Sequence, residues 1–242
     1  MSFPKVPSLQ HLVRNCYDDP EIVKRELIKV VKGTPPFSYD PIFRAIRELL
    51  ILRTPYEQVL DGVQRRTKIA SVKENYSSIL PLIRDYFANL KPDFVQNVDT
   101  RYYALGRGLL VPFRPPLIYG LNGSLYLPWF SLWKENPLED RQLRLFVALI
   151  KEMLSEDPGL EKAKFTIVDL SAPGKHLPRT LKVLDIKDVE DIEKHERERM
   201  LHAFVEGFLK ARVELKDYKR PKKKQPISEP NQDQIDLFKD QE

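Results

Sequence analysis

Leu117-Ile118-Tyr119-Gly120-Leu121-Asn122-Gly123-Ser124-Leu125-Tyr126-Leu127 sets the class of fold expected here. Asn122-Gly123 is a strong hairpin signal, because a type I′ turn needs positive φ at both central residues and Asn and Gly tolerate it. Leu, Ile and Tyr flank the turn, so two antiparallel strands are expected. Pro92, Pro112, Pro115, Pro116 and Pro128 preclude a long helix around them. Both tryptophans follow, in Pro128-Trp129-Phe130-Ser131-Leu132-Trp133-Lys134. They could form an aromatic platform for bases or a peptide. Large aromatics more often serve a core, so Trp129 and Trp133 are expected to pack the hairpin onto the next helix.

That helix is marked by Asn136 as a cap, Pro137 at its start, and Glu139 and Asp140 in its first turn. Its apolar face runs through Leu138, Leu143, Phe146, Val147, Ile150 and Leu154, and Pro158-Gly159 ends it. Two β-rich stretches follow, Lys164 to Leu170 and Thr180 to Ile186, joined by a polar link from Ser171 to Arg179. Asp188-Val189-Glu190-Asp191 then opens a long helix through about Lys216. The order strand, strand, helix, strand, strand, helix predicts an α+β layer over residues 101–216, a small mixed or antiparallel sheet packed with long helices.

Residues 1–100 read as a helical region. Asp18 or Asp19 caps a helix begun by Pro20 and ended by Gly33. Asp40-Pro41 repeats the signal, Thr54-Pro55 starts a third helix through about Arg66, and a fourth runs from near Ser71 to Leu90 with Pro81 expected to kink or divide it. Residues 217–242 are expected to be a disordered tail, since the Lys219 to Pro230 run has no hydrophobic period and cannot offset its ordering entropy.

The chain has 242 residues, 42% of them hydrophobic, and a formal net charge of +5. A single cysteine, Cys16, excludes an internal disulfide and a cysteine-based zinc site within one chain, and fits a cytoplasmic location. No apolar run is long enough for a signal peptide or a membrane span. The modest basic excess permits DNA as a partner without demanding it. The densest cationic point in the helical region, Arg65, Arg66 and Lys68, is a candidate phosphate contact, although cations at a helix end also suit the helix dipole.

Asp169, followed by Asp185-Ile186-Lys187, resembles the bare PD-(D/E)XK pattern of metal-dependent nucleases. That resemblance implies that Asp169 and Asp185 hold a metal while Lys187 assists the attacking water. If the two strands form a simple hairpin, the acids lie about 13 Å apart, too far for one ion. His195 and His202 sit two helical turns apart, about 10 Å along the axis, too far to share a metal. Gly106-Arg107-Gly108 lacks the lysine and hydroxyl that follow a phosphate loop. No metal and no cofactor are therefore expected, and no strong catalytic motif is present.

The tail carries a second resemblance. Gln234-Ile235-Asp236-Leu237-Phe238 resembles the bacterial sliding-clamp-binding motif, with Ile235 in place of Leu. By that resemblance Gln234 hydrogen-bonds at the mouth of a cleft on the clamp, and Leu237 and Phe238 fill an apolar pocket. Gln232, Ile235 and Phe238 also resemble the eukaryotic and archaeal clamp box, but Lys239 stands where that box has a second aromatic. The expected partner is therefore a bacterial sliding clamp, and the expected function a non-catalytic accessory or adaptor of DNA replication or repair. A clamp-recruited metal-dependent nuclease is the alternative, and a protein of unrelated function with a coincidental tail is a third reading.

Overall fold

The computed structural model describes residues 4–33, 38–88, 90–133, 136–174 and 177–218. Five helices come first: α1 (Leu9–Arg14), α2 (Pro20–Lys32), α3 (Asp40–Leu50), α4 (Tyr56–Arg66) and α5 (Ala70–Ala88). Asp19 caps α2 by accepting from the Glu21 amide at 2.8 Å, with Pro20 in the first turn as expected. Helix α5 runs unbroken through Pro81. The proline removes one intrahelical bond, yet buried Ile79, Leu80, Ile83 and Phe87 hold the helix against its neighbours.

The strands are β1 (Phe94–Gln96), β2 (Arg101–Gly106), β3 (Leu109–Phe113), β4 (Ile118–Leu121), β5 (Ser124–Ser131), β6 (Lys164–Asp169) and β7 (Lys182–Asp185); α6 (Asp140–Ser155) and α7 (Lys194–Glu214) complete the order. Strands β2 and β3 form a separate hairpin, turned by Gly106-Arg107-Gly108 with positive φ at all three residues. The main sheet has the order β1-β4-β5-β6-β7. It is mixed: β5 and β6 are parallel, joined across α6, and the other neighbours are antiparallel. The architecture is α+β.

The β4–β5 hairpin turns at Asn122-Gly123, both with positive φ. Its ladder runs from Tyr119↔Tyr126 to Leu121↔Ser124, so Pro128 sits past its end and its missing N–H leaves no gap there. Strand β5 then continues through Pro128 and Trp129 to Ser131 beside β6.

Side-chain alternation divides the interior into two cores. Leu127, Trp129, Phe165 and Ile167 point to one, with Phe146 of α6, Phe204 and Phe208 of α7, and residues of α1, α2 and the β2–β3 hairpin. Phe130, Leu132, Val168 and Leu170 point to the other, with Ile42, Ile79 and Ile83 of α3 and α5. Each large apolar side chain so buried contributes about 1.5–3 kcal/mol. Thus the first hundred residues and the rest of the chain share both cores, and the sheet is the middle of three layers. No helix among the described residues is long and apolar enough to cross a membrane.

Two boundaries differ from expectation. Asn136 does not cap α6: its Oδ1 accepts from the Leu138 amide and its Nδ2 donates to Asp169, so the helix begins after Glu139. Helix α7 begins at Lys194, because the Asp185 carboxylate accepts from the Lys187 amide and starts a short 3-10 turn, Ile186–Asp188, that ends in extended backbone at Val189. Local side-chain capping there competes with the helix start.

Candidate functional site

The parallel pair gives the sheet one edge where two strands end together. In sheets with parallel strands, the carboxyl ends and the loops after them form the usual crevice for ligands. Ser131 and Asp169, the last residues of β5 and β6, are register partners and share a face with Trp129 and Ile167. Asp169 is locked by three donors. Its Oδ1 accepts from the Ser171 amide at 3.0 Å and the Ser171 hydroxyl at 2.6 Å, and its Oδ2 accepts from Asn136 Nδ2 at 3.1 Å. Beside it, Ser131 is 3% exposed, and its hydroxyl finds no hydrogen-bond partner among the described residues.

On the opposite face Arg179 closes the same edge. One guanidinium nitrogen donates to the carbonyls of Trp133 at 2.8 Å and Leu170 at 2.6 Å; the other donates to Asn75 Oδ1 at 2.7 Å and the Leu132 carbonyl at 3.3 Å. Arg179 thereby ties both strand ends to α5. Trp133 is half-buried beside it, with the Arg14 guanidinium 4.8 Å from its ring centroid and the His11 ring packed edge-on at 5.1 Å. Burial, then the nearby Arg14 charge, holds the His11 pKa below its ordinary value. Trp129, by contrast, is a core residue stacked on Phe113 at 5.2 Å.

The nuclease candidates are not brought together. Thr166 pairs with Asp185 and Asp169 with Lys182, so the two acids are three residues apart along an antiparallel ladder. That is about 10 Å, and an odd offset puts them on opposite faces of the sheet. Asp185 serves the 3-10 turn, and Lys187 is exposed. Glu152, on α6, accepts from the Tyr103 hydroxyl at 3.2 Å and pairs with Arg197 at 3.3 Å. Burial and then the Glu152 charge push the Tyr103 hydroxyl up to about 12. Among the described residues no three His, Cys, Asp or Glu side chains converge on a metal position.

Arg65, Arg66 and Lys68 are exposed at the end of α4, with Arg65 paired to Asp61 at 2.7 Å. The tail motif, Gln234 to Phe238, and His176 lie outside the described residues. Sequence reasoning missed Arg179, whose only signal was an arginine placed just before a β-rich stretch. It also missed Ser131, which matters through the β5–β6 ladder, and it read Asn136 as a helix cap where the side chain donates to Asp169. No protein-family model matches this chain, and no curated protein matches it.

Proposed function

We propose that this chain is a cytoplasmic accessory or adaptor protein of bacterial DNA replication or repair that docks on the sliding clamp through Gln234-Ile235-Asp236-Leu237-Phe238. The observation that carries the reading is the motif itself, which resembles the clamp-binding pattern at four of five positions and keeps an aliphatic residue at the fifth. In that role Gln234 binds at the cleft mouth, and Leu237 and Phe238 supply the apolar area that enters the pocket. Fifteen residues separate Tyr218 from Gln234. They can span at most about 50 Å, so the body need not touch the clamp for the motif to dock.

The clamp-recruited nuclease reading draws no support from Asp169 and Asp185, whose carboxylates face opposite sides of the sheet. The test is surface plasmon resonance of the full chain over immobilised bacterial sliding clamp, beside the Leu237→Ala/Phe238→Ala variant. The native chain should bind at micromolar concentration, about −8 kcal/mol, and the variant should not. Equal responses from the two would overturn the proposal.

A further inference from the structure

Strands β2 and β3 form a two-stranded ribbon that is not part of the main sheet. Alternation gives the ribbon two faces. The inward face holds Leu109, Val111 and Phe113, all buried, with Tyr103 and Leu105 packed on the same core. The outward face sets Tyr102 opposite Pro112 and Ala104 opposite Leu110. Tyr102 is 60% exposed and Leu110 55%; Ala104 is exposed and Pro112 half-buried. An antiparallel pair with one face in a core ordinarily carries polar side chains on the other. Here all four outward positions are apolar or aromatic. The main sheet has a layer on each side, whereas the ribbon has a layer on its inward face alone among the described residues.

The charges that frame this face have one sign. From Thr100 to Pro116 the chain holds three arginines and no acid. Asp99, which is exposed, precedes that stretch at the Arg101 end. Arg101 pairs with Asp157 at 2.7 Å. Arg107 and Arg114 are exposed, and neither pairs with a carboxylate among the described residues. Arg107 is the tip of the turn, at φ 47°, and a Cβ added at Gly106 or Gly108 beside it would meet nothing within 4 Å. Arg114 directly follows Phe113, so alternation puts it in the outward set with Leu110 and Pro112. Extended chain from Gly108 to Arg114 covers about 20 Å. The apolar patch therefore lies between two unpaired cations.

We infer that the outward face of the β2–β3 ribbon docks an acidic amphipathic helix of a partner protein, apolar on one side and carrying carboxylates toward both ends. Two strands span about 10 Å across, which matches the diameter of one helix, and a helix of about 13 residues reaches the 20 Å or so between the cations. Such a helix supplies the layer that the ribbon lacks. Charge complementarity fixes the sign of the partner and its register. A second copy of this chain fits less well, because ribbon stacked on ribbon brings Arg107 and Arg114 of both copies together in either direction. Single-stranded nucleic acid binds on successive aromatic platforms, and Tyr102 is the only aromatic among the four outward positions. The inference does not rest on the clamp reading, since it uses none of residues 234–238.

The experiment selects a phage-displayed library of random peptides, each of about 14 residues, on the full chain. Two variants serve as counter-targets, Tyr102→Ser/Leu110→Ser and Arg107→Gln/Arg114→Gln. All four positions are exposed, so the circular dichroism of each variant should match that of the native chain.

Selection on the native chain should enrich peptides with apolar residues at helical spacing and Asp or Glu toward the ends. The most enriched peptide, measured by fluorescence anisotropy, should bind Tyr102→Ser/Leu110→Ser at least about tenfold more weakly than the native chain. It should bind Arg107→Gln/Arg114→Gln more weakly at low salt, and that difference should shrink as salt rises. Leu237→Ala/Phe238→Ala should bind it undiminished, so failure of the clamp reading would leave this result standing. Equal enrichment on the native chain and on Tyr102→Ser/Leu110→Ser would overturn the inference, as would enriched peptides without acids. Oligothymidylate binding lost in that variant would assign the face to nucleic acid instead. Self-association lost in it, seen by sedimentation velocity, would assign the face to a second copy; either result overturns the helix reading.

Discussion

Replacing Arg179 with methionine should destabilise the fold substantially without disturbing its hydrophobic cores. The guanidinium donates to three main-chain carbonyls, Leu132, Trp133 and Leu170, and to Asn75 Oδ1, over 2.6 to 3.3 Å. Hydrogen bonds to a charged group contribute about 1.5–3 kcal/mol each. They are lost together here and are not additive, because a single side chain makes them all and water can reach part of the vacated edge. Asn75 is only 8% exposed, so its amide oxygen would stay desolvated without its donor. The net cost should be about 3–4 kcal/mol, close to that of removing one partner of a buried ionic network. In urea, with an m-value of about 3 kcal/mol/M, the midpoint should fall by about 1 M at constant m. Arg179→Lys keeps the charge and loses the planar fork, and should cost roughly half as much. A double-mutant cycle with Asn75→Ala should give a coupling of at least about 1 kcal/mol. A loss below about 0.5 kcal/mol for Arg179→Met would refute the role of Arg179 as the tie between the strand ends and α5.

Gly207→Ala should loosen the α2–α7 pair, because the added Cβ would sit 2.6 Å from both the Pro20 carbonyl oxygen and Val23 Cβ. Overpacking of about 1–3 kcal/mol should lower Tm by several degrees, whereas Gly62→Ala, with nothing within 4 Å, should raise it slightly. His11 is held neutral by burial and by Arg14, so its folded pKa lies below the ordinary 6.5. The unfolded chain binds more protons in that window, so stability is complete above about pH 6.5 and falls as the pH drops toward the folded value. Urea unfolding at pH 7.5 and 5 should show this slope reduced in His11→Gln; an unaltered slope would locate the effect elsewhere.

Local chemistry explains what could be read in advance. The hairpin at Asn122-Gly123 and the Asp19-Pro20 start of α2 were legible because turn and cap preferences act within a few residues. The α+β class followed from element order. The parallel pairing of β5 with β6 did not, since a ladder between residues 38 apart leaves no local mark. Strand β1 is three residues long, too short for a period. The β2–β3 hairpin turns on Gly-Arg-Gly, a stretch weighed as a phosphate loop and not as a turn. The start of α7 was misplaced because Asp185 spends its carboxylate on a 3-10 turn, a choice that propensity does not reveal. The edge formed by Ser131, Asp169, Asn136 and Arg179 assembles from three separate loops and strand ends, so no spacing along the chain could announce it.

The clamp reading stands or falls on the affinity of five residues. Fluorescence anisotropy of a labelled Pro230–Glu242 peptide, titrated with purified bacterial sliding clamp and competed with the full chain, measures it. The account predicts a micromolar dissociation constant for the peptide and a similar one for the full chain, because the motif docks locally. Leu237→Ala/Phe238→Ala should cost at least about 3 kcal/mol through lost apolar burial. Gln234→Ala should cost about 1–2 kcal/mol through one lost hydrogen bond. Equal binding by the native and doubly substituted peptides, or no binding by the native peptide at millimolar clamp, would contradict it.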